Sequence, residues 1–175
     1  MQEKEIEKLI KKSQRQDSKA FISLMQYYAK DMYKTAIAIL MNDEDVADAI
    51  QDTILTCWEK LDTLRESRYF KTWMTRILIN KCYAIKKQNK HIVLLDEYEE
   101  VSVENSLNEN LYEILSVLDE KYRIPMMLFY GQGYKTEEIA QMLHSSKSTI
   151  QTRLARGREK LATYFKGEKV FYESI

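Results

Sequence analysis

Thr149, Arg153, Arg156 and Lys160 recur at intervals of three or four residues. Cations at that spacing can neutralise phosphates, and guanidinium and hydroxyl groups can also hydrogen-bond base edges. At 100° per residue from Thr149 these four fall at about −20 to 40°, with Thr152 beside them. Ile150, Leu154, Gly157 and Leu161 fall at about 80 to 140° on the same wheel. One face can therefore pack while its neighbour presents cations and hydroxyls, as a recognition helix in a DNA major groove must. Lys147 and Ser148 stand in the first turn of the same helix. A solvated surface helix would mix acids among its bases, and only Glu159 interrupts this one. Upstream, Thr136 to Leu143 reads as a short helix with Ile139, Ala140 and Leu143 on one face. His144, Ser145 and Ser146 break it, and Ser146 is placed to cap the next helix by accepting a backbone N–H.

Other chemistries find little to stand on. Cys57 and Cys82 lie far apart inside helical patterns and read as small core residues in a reducing compartment. His91 and His144 have no metal-ligand spacing. There is no nucleophile constellation, phosphate loop or metal cluster, so no enzymatic activity and no cofactor are expected. No apolar run reaches membrane-spanning length, and residues 1–15 are too charged for a signal peptide. A cytoplasmic protein without direct membrane insertion is expected.

The elements that carry these residues are read as helices throughout. Hydrophobic residues make up 45% of the 175, with only 4 Gly and 1 Pro to break a period near 3.6. Helices are expected at 6–13, 18–40, 43–61, 69–89, 108–117, 120–132, 136–143 and 147–165. Asn42 can cap the third, Asp17 or Ser18 the second, and Gly131 and Gly133 close the sixth. The net charge is +0, so a nucleic-acid reading must rest on how charge is distributed. Residues 67–95 contain no Asp or Glu, whereas residues 92–120 contain no Lys or Arg. This alternation suggests two DNA-facing modules, 13–91 and 108–167, separated by an acidic linker at 92–107. Fully extended, that linker would span at most about 55 Å.

Within the first module, the helix beginning near Phe70 has two stripes. Phe70, Trp73, Met74, Ile77, Leu78, Ala84 and Ile85 read as its core face. Arg76, Asn80, Tyr83 and Lys87 lie at about 220–280° from Phe70. Cations, an amide and an aromatic ring are the groups that melted DNA would meet. Trp73, at the edge of this stripe, reads as core rather than as a stacking platform. The preceding helix is different. Its core face is Val46, Ile50, Thr53, Ile54, Cys57 and Leu61, and its opposite face carries Glu44, Asp48, Gln51, Asp52 and Glu59 around Leu55. An acidic face centred on an apolar residue suits a basic protein partner, although a solvated face with one stray leucine fits the residues equally.

In order along the chain, ADAIQDTILTCW (47–58), FKTWMTRILINKCYAIKK (70–87) and LDEKYRIPMMLFYGQGYKTEEIAQMLHSSKSTIQTRLARGREKL (118–161) resemble three segments of the extracytoplasmic-function sigma factors, a two-domain group of the sigma-70 family. The resemblance implies an all-α fold: a region 2 helical bundle and a C-terminal helix-turn-helix region 4, joined by a flexible acidic linker. It implies a signal- or stress-responsive subunit that binds core RNA polymerase and recognises minus-35 and minus-ten promoter elements. Asp48, Gln51, Asp52 and Leu55 would meet the beta-prime clamp helices, and region 4 the beta flap. Arg76, Asn80, Tyr83 and Lys87 would face minus-ten DNA. Lys147, Ser148, Thr149, Thr152, Arg153 and Arg156 would face the minus-35 duplex. Control by an anti-sigma factor, free or membrane-anchored, is implied too. The family usually has Gly where this chain has His144, so a histidine with costly positive φ is expected there. The residues alone also allow an autonomous helix-turn-helix repressor or activator with an N-terminal dimerisation or ligand domain.

Overall fold

Three side chains set where major helices begin. Asp17 accepts the Ala20 N–H at 3.0 Å, Asn42 the Asp45 N–H at 2.9 Å and Ser146 the Thr149 N–H at 3.1 Å. Each satisfies a donor that the first helical turn leaves without an intrahelical partner. The computed structural model describes residues 2–92 and 106–172, with the side chains of 90–92, 106–110 and 167–172 excepted. The helices are α1 (Glu3–Ser13), α2 (Ser18–Leu40), α3 (Asp43–Lys60), α4 (Phe70–Ile92), α5 (Ser106–Ser116), α6 (Glu120–Met126), α7 (Thr136–Met142) and α8 (Lys147–Tyr172). Among the described residues every regular element is helical, as expected. The acidic linker expected at 92–107 falls, apart from its ends, outside the described residues.

The chain divides into two compact units, Met1–Ile92 and Val93–Ile175. In the first, α2, α3 and α4 pack against one another and α1 lies on α2. Phe70, Leu24, Met32, Met74, Leu78 and Ile79 are almost wholly buried. Burying one such large side chain contributes on the order of 1.5–3 kcal/mol. Rings form a connected row through this core, with centroid separations of 4.9 Å for Tyr27–Tyr28, 5.6 Å for Tyr28–Phe70 and 5.9 Å for Phe70–Trp73. Ile10 of α1 is fully buried too, so this unit extends N-terminal to Ser13. The Gln14 side-chain amide, just past α1, donates to the Leu61 carbonyl at 3.1 Å and the Leu64 carbonyl at 2.8 Å. It thereby fixes the 3-10 turn Leu61–Thr63 that leads toward α4.

The core face of α4 differs from the expected one. Phe70, Met74, Thr75, Leu78, Ile79 and Cys82 are buried, whereas Ala84 is exposed and Trp73, Ile77 and Ile85 are half-buried. The buried arc is displaced by about 80° from the expected stripe and spans half the helix circumference. The cause is that α4 packs on both α2 and α3. On α3, Val46, Ala49, Thr53 and Cys57 are buried, with Ile50 and Ile54 at the margin. The Thr53 hydroxyl satisfies itself by donating to the Ala49 carbonyl at 2.7 Å. Cys57 and Cys82 are free and buried, and burial pushes both thiols up to about 12. They are core residues, as the sequence suggests.

In the second unit α6 and α7 each pack on α8. The expected continuous helix 120–132 is instead α6 followed by a π-helical turn, Met127–Gly131. Pro125 lies inside α6 and has no N–H to donate, so it removes one rung of the ladder before the widened turn. Gly133, at φ 75°, ends the element and its N–H reaches the Phe129 carbonyl at 3.1 Å. Gly157 lets α8 approach α6 closely, since a Cβ there would meet the Met126 Cγ at 2.9 Å.

Candidate nucleic-acid and partner interfaces

The helix-turn-helix is built by local chemistry before packing. α7 buries Ile139, Ala140 and Met142, while Leu143, expected in that set, is half-buried at the helix end. The N–H of Lys135 is held by the Glu138 carboxylate at 2.8 Å, which helps start α7. At its far end His144 adopts φ 48°, and the Ser145 N–H returns to the Ala140 carbonyl at 2.9 Å. This is a Schellman ending made by a histidine where glycine would pay no Cβ penalty. The strain expected at His144 is thus present. Ser146 then caps α8, and its hydroxyl also meets those of Ser148 at 2.9 Å and Thr149 at 2.8 Å.

With α8 started there, Ile150, Leu154 and Gly157 turn inward. Lys147, Ser148, Thr152 and Arg156 are exposed, and Thr149 and Arg153 are half-buried. Five of these, Ser148, Thr149, Thr152, Arg153 and Arg156, line a shallow concavity of about 290 Å³ together with Lys121 and Tyr122 of α6. Lys147 stands apart from it, bridged to Glu137 of α7 at 2.5 Å. The Lys147 ammonium, with hydrogen bonds from the Glu137 backbone and Thr136, holds the Glu137 carboxyl down at about 2. That pair ties the two helices together across the turn. Lys160 is likewise engaged, 3.6 Å from Asp119.

In the first unit α4 turns Arg76, Asn80, Tyr83 and Lys87 outward, all four exposed. Trp73 is half-buried against Phe70, between the core and that face. On α3 the residues Asp48, Gln51, Asp52 and Leu55 are exposed together, and Leu55 is 61% exposed despite its apolar side chain. Asp52 lies 3.6 Å from the Lys81 ammonium of α4. Near the start of α3 the Asp45 carboxylate accepts from the Asn89 side chain at 2.9 Å, which locks α3 to the end of α4. The acidic face and the cationic face are therefore carried by one packed helix pair.

Sequence reasoning missed Lys121 and Tyr122 as neighbours of the recognition helix. A signal existed: Gly157 marks the place where α8 must meet another backbone element closely, and Tyr122 Cβ lies 3.7 Å from where its Cβ would stand. Among the described residues no helix is long and apolar enough to cross a membrane.

Comparison with known proteins gives these faces a setting. Sigma-70 region 2 matches residues 24–91, and Sigma-70, region 4 matches residues 108–161. RNA polymerase sigma factor SigV of Bacillus subtilis is 26% identical over 148 residues, covering 81% of this chain and 89% of that protein. RNA polymerase sigma factor NccH of Alcaligenes xylosoxydans is 26% identical, covering 94% of this chain and 96% of that one. ECF RNA polymerase sigma factor SigW of B. subtilis is 25% identical over 89% of this chain and 94% of that one. The fold resembles that of CnrH, solved with the cytosolic domain of CnrY, at TM-score 0.70 and 22% identity over 93% of this chain and 98% of that one. It also resembles RpoE from Bartonella quintana, solved with the anti-sigma factor NepR, at TM-score 0.72 and 22% identity over 85% of this chain and 98% of that one. The two region matches together cover well over half of the sequence, and the chain belongs to the sigma-70 family as an extracytoplasmic-function sigma factor.

Proposed function

We propose that this chain acts as a promoter-specificity subunit: it binds core RNA polymerase, reads a minus-35 element with α8 and helps open a minus-ten element with α4. Catalysis is left to the polymerase. The observation that carries the reading is the capped recognition helix, whose Thr152, Arg153 and Arg156 border one carboxylate-free concavity. Arg153 and Arg156 offer forked donors that suit guanine edges and phosphates. Ser148, Thr149, Thr152 and Lys147 add shorter-range contacts to backbone and bases.

Minus-ten DNA would meet Arg76, Asn80, Tyr83 and Lys87. The acidic α3 face, Asp48, Gln51, Asp52 and Leu55, would dock on the beta-prime clamp helices, and region 4 on the beta flap. Leu55 supplies the apolar centre and the acids supply charge complementarity. The functional domains on this reading are residues 13–91 and 108–167, with 92–107 as tether. The solved RpoE relative was captured with the anti-sigma factor NepR, and we infer a partner of that class here, free or membrane-anchored.

Reconstitution with core polymerase, followed by sequencing of transcript starts, tests the reading. Starts should share two upstream elements, and Arg153→Ala should weaken use of the upstream one by roughly 1–3 kcal/mol if it reads a base. Asp52→Lys with Leu55→Glu should reduce core binding without loss of helicity. Operator binding by a dimer of the isolated chain, with no polymerase-dependent starts, would overturn the proposal.

A further inference from the structure

Lys121 sits on α6, outside the helix-turn-helix, yet it lines the same concavity as Thr149, Thr152, Arg153 and Arg156. Its ammonium lies 5.0 Å from the centroid of the Tyr122 ring. That ring is packed into the unit, with the residue only 7% exposed, so its position is fixed by the core. The Arg156 side chain first, and the Lys121 charge after it, hold the Tyr122 phenol below its ordinary value against the opposing effect of burial. The concavity thus brings together a guanidinium from α8 and an ammonium from α6. No carboxylate lines the concavity, so a bound anion would meet no repulsion from its walls. Lys160, the other cation near this ring at 5.7 Å, is drawn instead toward Asp119.

We propose that Lys121 and Arg156, which line one concavity beside the Tyr122 ring, form a clamp for a backbone phosphate of duplex DNA beside the recognition helix. This deepens the proposed function and rests on α8 docking in the major groove. The clamp carries no sequence information; it fixes register, as phosphate contacts do.

The test is promoter binding by the reconstituted holoenzyme as a function of salt. Lys121→Gln should lower the slope of log K against log salt by about 0.9, so the wild-type advantage shrinks roughly threefold between about 50 and 200 mM. The loss should be equal for promoters that differ only in their minus-35 sequence, and Lys121→Arg should restore the slope. An unchanged slope for Lys121→Gln overturns the clamp. If Arg156→Gln lowers the slope in the same experiment, α8 docking stands without the clamp. If both slopes are unchanged, the docking falls too.

Discussion

The two units present cationic faces by different means. In the first, α4 buries half its circumference against α2 and α3, and the cationic stripe is what remains outside. In the second, α7 is two turns long and its partner helix is placed by single residues: a serine cap, a histidine in left-handed geometry, a glycine at a close crossing. The difference teaches where each face is vulnerable. The α4 face depends on a large apolar core, whereas the α8 face depends on backbone groups being satisfied at a few points.

Substitutions can break or sharpen this contrast. The largest effect should come from Phe70→Ala, which removes a fully buried ring at the first residue of α4. A loss of about 3–5 kcal/mol is expected in urea unfolding of the first unit. In the second unit Ser146→Ala removes the α8 cap and should cost about 1 kcal/mol, read in the same way. Its effect should be smaller in energy but felt directly at Ser148 and Thr149, whose hydroxyls meet that of Ser146.

His144→Gly should act in the opposite direction. Left-handed geometry costs a residue with a Cβ roughly 1–2 kcal/mol, and glycine gives back part of that gain in unfolded-state entropy. A net stabilisation of about 0.5 kcal/mol, seen as a raised melting temperature, is expected. No change would mean that the turn is not strained by its histidine.

The smallest effect concerns Glu137. Its carboxyl is held at about 2 in the folded unit, against an ordinary 4.5, with Lys147 the first cause. A depressed folded value means that the stabilisation is present above 4.5 and is lost as pH falls toward 2. The pair is exposed, so the slope should be shallow. Glu137→Gln should flatten that part of a stability–pH curve, whereas an identical curve would show that the pair contributes nothing.

Much of this was legible in the sequence, for a physical reason. Caps and breakers act locally, so Asn42, Ser146 and Gly133 could be assigned from their neighbours alone, and the α2 cap narrowed to Asp17 or Ser18. The exposed stripes of α3, α4 and α8 were legible too, because charge and amide groups avoid burial. The buried arc of α4 was harder. A helix gripped from two sides hides residues on a wide arc, and Thr75 and Ile79 lie outside the stripe that a single packing face would bury. The break at Met127 escaped because Pro125 lies within an otherwise regular pattern. Lys121 and Tyr122 escaped because their role depends on how α6 crosses α8, which residue spacing along one helix does not encode.

The Gln14 amide joins the end of α1 to carbonyls 47 and 50 positions further along. The Sigma-70 region 2 match begins only at residue 24. A chimera that swaps residues 24–91 between family members would thus inherit the loop ahead of α4 without its donor. A part taken from this chain should be cut upstream of α1, so that the transplanted unit brings its own fastening.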